Sequence, residues 1–358
     1  MISLYLHIPF CKQKCAYCSF YSLTDFDKEE YIDAIIRCVK YYGDKCRQKA
    51  DTIYIGGGTP SVLPPKLICR LFDAVYKSFD IADGVEITVE ANPESCDTEF
   101  LDAARANGVN RLSLGVQSFC DSELRAVGRI HTSADAVSAV RRARESGFEN
   151  ISCDLIFGLP GQTENSFRKN IDTLIGLDIE HVSCYNLQIE EGTPLEKSKI
   201  TLPDETKQEK MYFLACNMLE NAGYTHYEIS NYAKKGLESR HNSAYWTDKD
   251  YLGLGPAAHS KIGDIRCSFL PDIRRFVSRK EFEFDCREKT DDGLFEKIML
   301  TLRTNRGLDM SLLPNSSDFV SKLCSEGLSQ ISDGVLRLTD RGFCVSNSII
   351  AEIAAREC

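Results

Sequence analysis

Three cysteines, Cys11, Cys15 and Cys18, stand in a CxxxCxxC spacing directly after an apolar run at residues 2–8. Thiolates are the usual ligands of iron–sulfur clusters. Three of them hold three irons of a 4Fe-4S cubane and leave the fourth iron open. An open iron is what a chelating cofactor needs if it is to bind there and be reduced. A zinc site completed by His7 is the competing chemistry. Zinc sites usually pair two CxxC knuckles, and this chain has no second knuckle. The chain carries sixteen cysteines, but most of the others are scattered singly, as Cys38, Cys69, Cys153, Cys184, Cys216 and Cys344 are. Single cysteines at apolar positions act as small core residues.

Further reactive residue types fall where short apolar runs end. Residues 52–55 lead to Gly56-Gly57-Gly58-Thr59-Pro60, and 85–91 close on Glu90 before Asn92-Pro93. Residues 111–116 lead to Gln117-Ser118, 151–156 carry Asp154 before Gly158-Leu159-Pro160-Gly161, and 181–187 yield Asn186 with Gln188 next to it. A carboxylate on an apolar strand is costly without a polar partner, so Asp154 is expected to have one. Glu90 reads either as a capping or salt-bridging carboxylate or as a hydrogen-bond acceptor for a ligand. Arg129 is either a solvated charge or a bidentate partner for a carboxylate.

These positions need a scaffold. The six runs are short and rich in Val, Ile, Tyr and Leu, as strands are. Helix-like stretches separate them at 27–42, 65–79, 97–107, 133–146 and 163–176. Several begin at Asp, Ser or Thr and stop near Gly. Strands alternating with helices predict an α/β fold of βαβ units with a parallel sheet. The carboxyl ends of parallel strands share one face, so six loops would converge on one site.

The character changes after about residue 200. Residues 204–222 and 293–304 read as helices, and 224–260 are rich in Tyr, Asn and His. From 317 a helix is followed by two short runs flanking Ser332-Asp333-Gly334, a hairpin signal. Helix, hairpin and further helix predict a small winged-helix-like α+β domain. The expected organisation is a barrel over 1–200, a capping region over 201–285 and the small domain over 286–358. The net charge is −10, which leaves no basic excess for a nucleic-acid partner. The small domain therefore reads as a lid or docking unit. The N-terminus has no signal-peptide pattern and no run is long enough for a transmembrane segment, so a cytoplasmic location is expected.

The segment LYLHIPFC-x3-C-x2-C resembles the radical S-adenosylmethionine (SAM) proteins related to oxygen-independent coproporphyrinogen III oxidase, including the HemW-type heme chaperones. The resemblance runs through GGGTPS (56–61), EANPE (90–94), SLGVQSF (113–119), GRIH (128–131), DLIFGLPGQT (154–163), HNSAYW (241–246) and YLGLGPAAHS (251–260), in the family's order. It implies a partial (β/α)6 TIM-like radical SAM barrel, with a 4Fe-4S cluster on Cys11, Cys15 and Cys18. It also implies that Gly57, Gly58, Thr59, Glu90, Gln117, Arg129 and Asp154 line the SAM site, with Tyr5, Tyr17 and Gln188 near it. Tyr5 and Tyr17 also read as ordinary barrel aromatics.

Two functions occur within this resemblance. The oxidases resemble CxxxCxxCxC, whereas this chain has Phe20 at the added position, and they carry a longer arm before the cysteines. HNSAYW matches the HNxxYW pattern of the heme chaperones. His241 could then be an axial ligand, with Tyr245 and Trp246 offering flat surface to a porphyrin; the plainer reading of His241 is a structural hydrogen-bonding histidine. The expectation is a protein that binds heme, a cluster and SAM and passes heme to an acceptor hemoprotein, served by a reductant such as flavodoxin or ferredoxin. The alternative is an oxidase that decarboxylates a porphyrinogen propionate.

Overall fold

The computed structural model describes residues 1–290 and 293–358. Six strands form where the apolar runs lie: β1 (Ile2–Ile8), β2 (Ala50–Gly57), β3 (Ile81–Ala91), β4 (Arg111–Gln117), β5 (Asn150–Phe157) and β6 (His181–Asn186). They pair in sequence order and all in parallel. Most of their residues are buried, as a sheet covered by helices requires.

The covering helices are defined by local chemistry. Asp27 caps Lys28–Gly43 by accepting from the Glu29 and Glu30 amides. Pro65 opens Pro65–Ser78, where its missing N–H costs nothing. Thr132 and Thr163 form capping boxes at the heads of Ser133–Glu145 and Glu164–Gly176. Pro65–Ser78 buries Leu67, Ile68, Leu71, Phe72 and Val75 against the sheet. Each such side chain contributes about 1.5–3 kcal/mol by leaving water.

The sheet extends beyond the six strands. β7 (Thr225–Glu228), β8 (Asn231–Ala233), β9 (Tyr251–Leu254), β10 (His259–Ile262), β11 (Ile265–Ser268) and β12 (Cys286–Lys289) give the order 12-11-10-9-1-2-3-4-5-6-8-7. β9 runs parallel to β1 and β8 antiparallel to β6. Among the described residues β1 and β6 do not pair with each other, so the barrel is open, a partial (β/α)6 barrel. The strands of 224–260 are three or four residues long, too short for a periodic sequence signal.

The C-terminal segment builds a second sheet, β13 (Leu308–Asp309), β15 (Val335–Leu338) and β14 (Ser329–Ser332), in that spatial order. Asp333 and Gly334 both take positive φ, 53° and 74°, as a tight hairpin turn requires. Helices Ser317–Ser325, Asp340–Cys344 and Ser346–Glu357 close over it. Leu323, Leu336, Phe343 and Ile350 form a separate apolar core, and Tyr212 of the helix Glu205–Asn221 packs against both this core and the barrel's. No helix among the described residues is long and apolar enough to cross a membrane.

Candidate functional site

The carboxyl ends of β1–β6 open onto one cavity of about 450 Å³. The cysteine loop lies across its mouth and is pinned by backbone bonds. Cys11 N–H donates to Leu23 O at 2.9 Å, and Ala16 N–H donates to Val127 O at 3.0 Å. The Gln13 side chain adds a bond to Gly128 O at 2.9 Å. Cys11, Cys15 and Cys18 all line the cavity, and none is fully buried. Thr59 Oγ1 lies 3.4 Å from Cys11 Sγ, and Arg129 Nη1 lies 3.5 Å from Cys15 Sγ.

The spacing of these thiols bears on zinc. Among the described residues the one trio of metal-ligating atoms within 4.8 Å of one another is Cys216, His226 and Asp340. Cys11, Cys15 and Cys18 do not form such a trio, so they are not gathered as the shell of a single zinc ion would be. His7 is not available as a fourth ligand. Its Nε2 bonds to Tyr21 O at 2.9 Å and its Nδ1 to the Tyr5 hydroxyl at 3.0 Å.

The opposite wall carries the polar residues. Gly57 has φ +114°, and a Cβ there would run into the His7 ring. Its N–H donates to Glu90 Oε2 at 2.9 Å, while the Tyr54 hydroxyl donates to Glu90 Oε1 at 2.7 Å. Burial pushes the Glu90 carboxyl above its usual range, against the pull of Tyr54 and Gly57. Arg129 donates to Asn92 Oδ1 at 2.9 Å and to Gly115 O. Gln117 is held at φ +68°, a conformation uncommon for a residue with a side chain and recurrent at ligand sites. Thr59, Gly58, Tyr17 and Gln188 also line the cavity.

Asp154 faces the same space. Among the described residues its Oδ1 has no hydrogen-bond partner although it is buried. Burial, then the charge of Glu90, pushes its carboxyl up to about 7. A polar ligand in the cavity would supply the missing donor. Tyr5 alone among the expected residues stands back from the wall, with its ring beside Tyr54 at 6.1 Å.

Asn186, noted from sequence at the end of its strand, lines the cavity too, as do Arg111, Ser113 and Ser183, which were not singled out as site residues. Arg111 is only 1% exposed, and its Nε and Nη1 lack partners among the described residues. Its charge opposes the upward shifts of Glu90 and Asp154. The available signal was an arginine at the head of an otherwise apolar strand, RLSLGV.

The HNSAYW segment lies beneath this cavity, and Asn242 of it reaches the cavity wall. Helix Arg240–Tyr245 is capped by Ser239, and the amides of Arg240 and His241 donate to the Glu86 carboxylate at 2.9 Å. His241 is 1% exposed. Its Nδ1 meets Thr52 Oγ1 at 2.8 Å and its Nε2 meets the Tyr245 hydroxyl at 2.9 Å. Burial lowers its pKa to about 3, so it is neutral. Trp246, by contrast, faces a second cavity of about 520 Å³ together with Arg240, Lys249, Arg306, Glu228 and Glu238.

Residues 5–174 match the Radical SAM superfamily. The chain is 35% identical over 371 residues to the heme chaperone HemW of Bacillus subtilis, with 98% of each chain covered. It is 38% identical over 269 residues to the heme chaperone HemW of Haemophilus influenzae, covering 73% of this chain and 70% of that one. The solved structure of coproporphyrinogen III oxidase from Escherichia coli superposes with a TM-score of 0.86 at 24% identity, over 98% of this chain and 89% of that one. That likeness is one of fold.

Proposed function

The chain belongs to the HemW heme-chaperone family of the radical SAM superfamily, and we propose that it binds heme and passes it to an acceptor hemoprotein. The observation that carries this reading is the similarity to proteins named heme chaperones over 98% of the chain. Phe20, 68% exposed on the cysteine loop, stands where the oxidases resemble a further cysteine, which disfavours the oxidase alternative.

In this reading Cys11, Cys15 and Cys18 hold a 4Fe-4S cluster, and the cavity beneath them holds SAM. When bound, the cluster supplies electrons delivered by a reductant such as flavodoxin or ferredoxin. Gly57 lets the backbone approach the ligand closely. Glu90, already oriented by Tyr54 and Gly57, accepts hydrogen bonds from ribose hydroxyls. Arg129 sets a positive charge beside Cys15 and the cavity. Asp154 and Arg111, buried with unsatisfied atoms, gain partners when SAM fills the space.

Heme is assigned to the second cavity. Trp246 offers a flat apolar face and Arg306 a cation for a propionate, beside Lys249 and Arg240, which Asp51 already holds. His241 and Tyr245 shape this surface from behind. An axial role for His241 would require it to give up its bond to Tyr245 or to Thr52 and to come out of its buried position. We infer a cytoplasmic setting, which suits reduced thiols at Cys11, Cys15 and Cys18. The test is transfer. Heme-loaded protein mixed with an apo-hemoprotein should lose its heme band while the acceptor gains activity. Heme that stays bound, or an acceptor that gains nothing, contradicts the proposal.

A further inference from the structure

A second constellation lies far from the cysteine loop in the fold, where the C-terminal unit meets the barrel. Cys216 on helix Glu205–Asn221, His226 on β7 and Asp340 at the head of helix Asp340–Cys344 place a thiol, an imidazole and a carboxylate within 4.8 Å of one another. Three separate segments contribute, so the grouping is a product of the fold and not of local sequence. Cys216 and His226 are 2% and 6% exposed.

His226 carries the argument. Its Nδ1 lies 2.8 Å from Asp340 Oδ1, and its buried Nε2 has no hydrogen-bond partner among the described residues. An unpartnered buried polar atom is costly to the folded state. His181 and His241 show the usual solution: His181 meets Ser152 at 2.7 Å and Tyr227 at 2.8 Å, and both nitrogens of His241 are likewise bonded. The His226 ring cannot simply swing to find a partner. Tyr232 stacks on it at 4.1 Å with planes 11° apart, and Phe343 meets it edge-on at 5.1 Å. An ion held by all three residues takes the place of the Nδ1–Asp340 hydrogen bond, with Nδ1 and the carboxylate as ligands and the imidazole proton moved to the free Nε2.

We propose that Cys216, His226 and Asp340 form a site for one divalent cation of the zinc class, which clamps the C-terminal unit to the barrel. Thiol, imidazole and carboxylate together suit a borderline-soft ion and not magnesium or calcium. Asp340 and the nearby Cys344 line an open depression of about 630 Å³, through which the cation and a completing water have access. Binding replaces the Cys216 thiol proton, which leaves to solvent as the sulfur–metal bond forms. The Tyr232 hydroxyl, 3.2 Å from Cys216 Sγ, then donates to the thiolate. The site is independent of the cluster and of heme.

The test uses full-length chain with Cys11, Cys15 and Cys18 changed to alanine, so that metal cannot reside on that loop. After exposure to zinc and dialysis this protein should retain about one zinc per chain. Cobalt in place of zinc should give a thiolate-to-cobalt absorption band. Zinc should raise the melting temperature, as any ligand of the folded state does. Cys216→Ser and His226→Gln should each bind at least about ten-fold more weakly and lose the cobalt band. Absence of both zinc retention and a zinc-induced melting shift in the parent overturns the proposal without recourse to any variant. Equal retention by the parent and both variants overturns it as well.

Discussion

The Tyr54 ring lies on the His241 imidazole, with centroids 4.9 Å apart and planes 28° from parallel, while the Tyr54 hydroxyl donates to Glu90 at 2.7 Å. One tyrosine therefore joins the HNSAYW helix at the foot of the barrel to the carboxylate at its mouth. His241 is held in turn by Thr52 and Tyr245. The histidine of the motif acts in this fold as a prop beneath the cavity of the cysteine loop, while Ser243, Ala244 and Trp246 reach the second cavity.

His241→Ala should accordingly lower stability by about 2–4 kcal/mol, through a cavity and a stranded Thr52 hydroxyl. It should also weaken SAM binding, because Tyr54 loses its backing and Glu90 its fixed partner. The absorption spectrum of bound heme should not change. Thermal melts, calorimetry and a heme spectrum read these three effects separately, and a changed heme spectrum would identify His241 as an iron ligand.

Trp246→Ala should weaken heme binding by roughly ten-fold, the loss of one large aromatic face. Arg240→Ala should weaken it less, since Arg306 remains to pair a propionate. Neither change touches the cysteine loop, so iron and sulfide content should stay at the wild-type level. Heme titrations in parallel with iron analysis check this; unaltered heme affinity in Trp246→Ala would remove heme from the second cavity.

Cys11→Ala, Cys15→Ala or Cys18→Ala should each prevent a complete 4Fe-4S cluster, because each thiolate holds one corner. Cys38→Ala should not, since Cys38 lies fully buried in the apolar core. Anaerobic reconstitution followed by iron and sulfide counts distinguishes them. A full cluster in the Cys15 variant would rule out the assignment.

Asp154 gives a pH signature. Its carboxyl sits at about 7 in the folded chain, above the ordinary unfolded value near 4, so the folded state binds the proton more tightly. Stability from this group is complete below about pH 4 and is lost as pH rises through about 7. Asp154→Asn removes that loss. Without SAM it should be more stable than wild type above neutral pH, by an amount on the order of 4 kcal/mol at about 1.4 kcal/mol per pH unit. Near pH 4 the two should match. With SAM the order should invert in binding: Asp154→Asn and Glu90→Gln should both bind SAM more weakly. Denaturant melts across pH and calorimetry provide the readings.

The barrel was legible because each parallel strand is a continuous apolar run followed by its own helix, and because chemistry in such folds gathers at the strands' carboxyl ends. Gly57, Glu90, Gln117 and Asp154 sit at those ends, so sequence position alone brought them together. Arg111 escaped because it heads its strand, where an arginine ordinarily turns to solvent; only the three-dimensional packing shows it aimed inward. The edge strands β7–β12 escaped because three or four residues carry no period. His241 is the structural hydrogen-bonding histidine that was the plainer of its two sequence readings, though the partners that bury it could not be named in advance. A motif names its residues but not which of them face a ligand, and that depends on Thr52, Tyr54 and Glu86, all distant in sequence.

A heme carrier retains heme, whereas a porphyrinogen oxidase turns over coproporphyrinogen. The most direct measurement supplies purified, cluster-reconstituted protein with SAM and a reductant, then follows heme binding and coproporphyrinogen III turnover in the same preparation. The account predicts near-stoichiometric heme retention and no propionate decarboxylation. Sustained decarboxylation by the wild-type protein, with heme not retained, would contradict it.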